Sequence, residues 1–143
     1  MSHLYYFLRL PSIGYGSIDG SRCCFCYNTP MKEIGAVLDF KGFEEMYAWL
    51  SSNAKEQTEI FVRISRQKPE KCVDVLSYYD AVNAALCFGW IDSTLRNING
   101  VLVQRFSPRK KNSHWTDTNI KRCLELDKKG LMTEEGKRVC PAF

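Results

Sequence analysis

Ile91-Asp-Ser-Thr-Leu-Arg-Asn-Ile-Asn-Gly-Val-Leu-Val-Gln-Arg-Phe106 is the stretch that decides the fold. At its centre stands Asn99-Gly100, and a two-residue type I′ turn needs positive φ at both central positions, which Asn-Gly tolerates best. The runs on either side are rich in aliphatic and β-branched residues, so the segment reads as a β-hairpin over 91–106. Counting outward from the turn, Ile98 faces Val101, Arg96 faces Val103, Thr94 faces Arg105 and Asp92 faces Ser107, all on one side of the ribbon. In that register Asp92 and Arg105 are diagonal neighbours at the open end of the hairpin.

Upstream, Phe43, Met46, Tyr47 and Leu50 recur at helical spacing and predict an amphipathic helix over 43–53. Glu59-Ile-Phe-Val-Arg-Ile64 alternates two kinds of residue and predicts a strand, closed by Lys68-Pro69. Ser77 is placed to cap a second helix over 78–88, with Tyr79, Val82 and Leu86 on one face, Ala81, Ala84 and Ala85 allowing close packing, and Gly89 ending it. Downstream of the hairpin and the basic loop Pro108-Arg-Lys-Lys-Asn112, Thr116 caps a helix over 117–129, with Trp115 stapling onto Ile120. Gly130 stands where a C′ glycine belongs, with Leu131 folding back on Leu126. Thr133 caps a last short helix over 134–140, stopped by Pro141. The pattern predicts an α+β fold: a small antiparallel sheet containing the hairpin and the 59–64 strand, covered by helices, with a C-terminal helical pair.

The 143 residues, 45% of them hydrophobic, suffice for one core without staples. Residues 1–30 carry no sustained period and read as a poorly patterned N-terminal extension to a single domain at 31–143, with Met31 a candidate start of translation. The seven cysteines are an odd, scattered set, which favours reduced thiols and a cytoplasmic setting. Arg9 interrupts the apolar run 4–8, which argues against a signal peptide, and no stretch approaches transmembrane length. Charge is polarised: residues 1–95 hold 9 basic and 11 acidic side chains, net −2, against 11 and 5, net +6, in 96–143. Such a distribution suits an anionic partner, although a solvated basic face produces the same count.

Several motifs carry a resemblance: Leu76-Ser-Tyr-Tyr-Asp-Ala-Val82, Ala85-Leu-Cys-Phe-Gly-Trp-Ile-Asp92, Gln104-Arg-Phe-Ser-Pro-Arg109, Ser113-x-Trp115, Asn119, and Gly130-Leu-Met-Thr133 with Gly136. Their order and spacing resemble the YdeI/OmpD-associated, or bacteriocin-protection, family, from about Phe40 to the C-terminus. The resemblance implies a role in envelope stress or in tolerance of cationic antimicrobial peptides, with no shared catalytic residues. Ser93 and Ala84 stand where that family commonly has a glycine or other small residue and an acidic one.

The candidate ligand site is therefore Gly89, Trp90, Asp92, Arg105, Ser107, Arg109, Ser113, Trp115 and Asn119. A glycine at a helix–strand junction permits a cleft beside the Trp90 indole, or simply a helix end over a core tryptophan. Arginine forks at 105 and 109 suit a phosphate or carboxylate oriented by Asp92, or else Arg105 pairs internally with Asp92. The expected protein is a binding protein without cofactor or metal, engaging an anionic small molecule or a protein partner. Two other readings remain open. Arg109, Lys110, Lys111, Lys121 and Arg122, with His114 and Trp115, would serve nucleic acid if they formed one exposed surface. Cys87, His114 and Asp92 would serve an enzyme if they met in one cleft. Cys23-Cys24-x-Cys26 lacks a nearby fourth zinc ligand.

Overall fold

The computed structural model describes residues 34–143. The extension 1–30, the Met31 start and the Cys23, Cys24 and Cys26 group lie outside the described residues. Four strands, β1 (Val37–Leu38), β2 (Ile60–Arg63), β3 (Trp90–Ile98) and β4 (Val101–Pro108), form one sheet with the order β1-β2-β4-β3. Four helices, α1 (Phe43–Asn53), α2 (Tyr78–Cys87), α3 (Asp117–Lys128) and α4 (Glu134–Val139), complete an α+β architecture. The sheet is antiparallel except at its edge, where β1 joins β2 in parallel, a strand with no sequence signal of its own.

Three of the four helices begin at a capping side chain, and α1 begins after Gly42 without one. The side-chain oxygens of Ser77, Thr116 and Thr133 accept from the backbone N–H groups of Asp80, Asn119 and Gly136, so three helix starts are set by N-caps. Gly130, at φ +71°, ends α3, and the Leu131 N–H returns to the Leu126 carbonyl at 3.0 Å while the Gly130 N–H meets the Asp127 carbonyl at 2.8 Å, closing a Schellman motif. Helix α2 is the hub: it packs on α1, α3, α4 and β3. Its residues Ala81, Val82, Ala84, Ala85, Leu86 and Cys87 are all buried.

The hairpin turn forms as expected, with Asn99 and Gly100 both at positive φ, and Ile98↔Val101 and Arg96↔Val103 in register. Farther out the register departs from the regular ladder. Asp92 pairs with Phe106 and Ile91 with Ser107, while Leu95 pairs with Gln104, so Ser93 and Thr94 together oppose Arg105. This is a β-bulge, and one inserted residue exchanges the two faces of the strand beyond it. The physical drive is burial. The bulge turns Trp90 onto the face that carries Phe106, Ile60 and Val62, where all four belong to the main core. Without it the indole would lie on the opposite face, with Arg105 and Arg63. Phe61 and Val103, on that opposite face, are also buried.

Candidate functional site

The bulge divides the site expected from the regular register. Asp92 stands on the helix-covered face and accepts a hydrogen bond from the Tyr78 hydroxyl at 2.7 Å, tying β3 to the first turn of α2. Arg105 lies on the other face. Its Nε donates to Glu59 at 2.6 Å and a terminal nitrogen donates to Ser93 Oγ at 2.9 Å, so its ionic partner is Glu59 and not Asp92. Ser107 shares the Arg105 side of the sheet. Trp90, 2% exposed, is core rather than a ligand wall. Gly89 is buried too, and the space in front of it is filled by α4: a Cβ there would meet Val139 Cγ2 at 2.7 Å and the Glu135 carbonyl at 3.2 Å. The helix–strand junction is therefore packed, not a cleft.

Burial and the Asp92 hydrogen bond together push the Tyr78 phenol from 10.0 up to about 12. A hydroxyl held protonated by the fold stabilises the native state fully below its unfolded pKa, and that contribution is lost as pH rises toward the folded value. Stability is expected to fall between about pH 10 and about pH 12, and Tyr78→Phe to flatten that part of the profile in urea titrations. An unchanged profile in the variant would remove the Tyr78–Asp92 link.

Arg109, Ser113 and Trp115 do come together. The Arg109 guanidinium lies 3.6 Å above the Trp115 ring and donates to the His114 carbonyl at 3.2 Å and to Ser113 Oγ at 3.4 Å. It is 8% exposed, and among the described residues its Nε has no hydrogen-bond partner and no carboxylate lies within 4.0 Å of it. Burial lowers its pKa, with Cys123, Asp92 and Cys140 opposing the shift. The backbone N–H of Arg109 also holds Gly89 O at 2.9 Å. This arginine folds the 109–116 loop around itself and presents little surface to a ligand. Asn119 serves through its backbone, as the N–H that Thr116 caps.

The residues of the two other readings are likewise dispersed. Cys87 is fully buried, and burial pushes its thiol up to about 12, far from the thiolate a nucleophile requires. His114 is exposed. Cys123 is raised to about 12 as well, by burial first and by the neighbouring Cys140 second. Among the described residues no group of three or more His, Cys, Asp or Glu is arranged to hold a metal. Of the five basic residues expected on one surface, Arg109 is withdrawn into the interior and Arg122 is laid over the Tyr79 ring at 4.9 Å, leaving Lys110, Lys111 and Lys121 exposed.

A hollow of about 260 Å³ opens elsewhere, between the start of α1, the outer face of α2 and one face of α3. Helix α3 contributes Arg122, Glu125 and Leu126, and its C-cap residue Lys129 continues the same i, i+3, i+4, i+7 face. Helix α2 contributes Tyr79, Asp80 and Asn83, α1 contributes Phe43 and Glu44, and Leu131 closes one end. Two features distinguish it. Asn83 makes no side-chain hydrogen bond with any described residue, and its Oδ1 is buried. The five charged side chains form no ion pair with one another within 4.0 Å. The sequence held one signal for this place: Asn83 is the lone amide among the alanines, valine and leucine of α2.

A family model described as a domain of unknown function (DUF8412) matches residues 38–139, a span that takes in every element from α1 to α4. No curated protein and no solved structure matches the chain.

Proposed function

The chain belongs to the DUF8412 family, a domain of unknown function, and from the geometry of the hollow between α1, α2 and α3 we propose that it is a binding protein whose ligand, a small molecule bearing an anionic group, occupies that hollow. The buried, unpaired Oδ1 of the partly exposed Asn83 carries this reading. A buried polar group without a partner costs about 1–3 kcal/mol, a cost that an apolar residue on the α2 face would avoid. A ligand that completes the amide's bonding accounts for its retention. Arg122 and Lys129 on the α3 wall supply the attraction for an anion, and Phe43 and Tyr79 supply apolar area.

The wider setting we propose is envelope stress or antimicrobial-peptide tolerance, exercised from the cytoplasm. The motifs between Leu76 and Gly136 that resemble bacteriocin-protection proteins support it, as do the scattered thiols. Among the described residues no helix is long and apolar enough to cross a membrane.

The experiment is a thermal-shift screen against nucleotides, phosphorylated metabolites, carboxylates and envelope precursors, because only a molecule that binds the native state raises the melting temperature by mass action. Asn83→Leu should melt higher than the parent chain without ligand, since an unmatched amide is replaced by an apolar group, yet lose the ligand's shift. Arg122→Met should weaken binding by roughly tenfold or more, the cost of one charged hydrogen bond. A ligand whose shift survives both substitutions binds elsewhere and overturns the reading.

A further inference from the structure

We infer that the ligand of the α1–α2–α3 hollow is a small zwitterion, a free amino acid or dipeptide with an apolar side chain; this rests on the hollow being the binding site. Its walls carry opposite charge. Arg122 on α3 and Lys129 at its C-cap stand two turns apart, with Glu125 between them, while Glu44 and Asp80 line the hollow from α1 and α2. No oppositely charged pair among these groups closes to within 4.0 Å, and Asp80 accepts instead from the Ser77 hydroxyl at 2.9 Å through one carboxylate oxygen. A simple anion gains Arg122 and Lys129 but meets repulsion from Glu44, Asp80 and Glu125, and a simple cation gains the carboxylates but meets repulsion from the two basic groups. Only a molecule with both charges is favoured on both sides, its carboxylate toward Arg122 and Lys129 and its ammonium toward Glu44 and Asp80.

Size and polarity narrow the class further. A volume of about 260 Å³ falls below the roughly 300 Å³ at which pockets for drug-sized molecules begin, so the part of a ligand that the hollow encloses is small. The side chain of the zwitterion meets Phe43, Tyr79 and Leu126, and the backbone amide or ammonium faces Asn83.

Calorimetric titration of the full chain with L-phenylalanine, the dipeptide Phe-Leu, N-acetyl-L-phenylalanine and L-phenylalaninamide tests this. The free amino acid or the dipeptide should bind, and blocking either its amine or its carboxylate should weaken it by roughly tenfold or more, the loss expected for a charged hydrogen bond. Glu44→Gln, a change on an exposed side chain, should weaken the free zwitterion while leaving the acetylated compound unaffected. If the acetylated compound binds as tightly as the free one and the Asn83→Leu variant loses both, the hollow takes plain anions: the zwitterion falls and the binding site stands. If none of the four binds, the zwitterion falls, and the phosphate and nucleotide arm of the screen alone decides the site.

Discussion

Gly136→Ala is expected to lower the stability of the folded chain by about 3 kcal/mol, at the upper end of what overpacking costs. The sign is the informative part, because alanine in place of a helical glycine ordinarily stabilises by about 1 kcal/mol. Here the added Cβ would meet the carbonyl oxygen and carbon of Cys87 and come within 3.0 Å of Met132 Cε. Backbone atoms cannot swing aside as a flexible side chain does. The same carbonyl is the anchor of α4: Thr133 donates to it from its hydroxyl at 2.6 Å and from its N–H at 3.0 Å. The N-terminus of α4 thus docks against the C-terminus of α2, with opposed partial charges in contact. Pushing them apart loses packing and hydrogen bonds together. Gly130→Ala is the control, since no atom lies within 4 Å of its Cβ position and only its φ of +71° is strained; it should cost about 1 kcal/mol. Urea denaturation of the two variants checks both, and equal stabilities would contradict the docking of α4 on α2.

Trp90→Ala is expected to cost about 4 kcal/mol, as deletion of a fully enclosed aromatic does. The indole is 2% exposed and belongs to the same core as Phe106, Ile60 and Leu86. A tryptophan forming the wall of an open ligand cleft would lose much less stability on truncation and would lose binding instead. Arg105→Ala separates the two faces of the sheet: its pair with Glu59 is partly exposed, 31% and 22% for the two side chains, and such pairs contribute up to about 1 kcal/mol. A small effect at Trp90, or an effect at Arg105 of the same size, would overturn the bulged register. Denaturant midpoints measured side by side decide it.

The elements were legible because their signals are local. Ser77, Thr116 and Thr133 each cap the helix that follows them, and Gly130 ends α3, through bonds that span only a few residues. Asn99-Gly100 sets the turn for the same reason. Arg109, Ser113 and Trp115 also meet as neighbours in one short loop. The rest of the expected site was built by extending a register over seven residues from the turn, and the extension failed at Ser93 and Thr94. Nothing within β3 marks the insertion, because its benefit is realised only against β2 and the helices. The α1–α2–α3 hollow was hidden for a similar reason. Its residues are separated by up to most of the domain's length, and only Asn83 stood out from its surroundings.

What the amino-acid order determined by itself was the kind, length and ends of nearly every element and the α+β class, since caps, turns and periodicity act within a few residues. Tertiary packing alone decided which face each end of the hairpin presents. There, enclosing one indole outweighed a regular ladder, and that choice sent Asp92 to Tyr78 and Arg105 to Glu59.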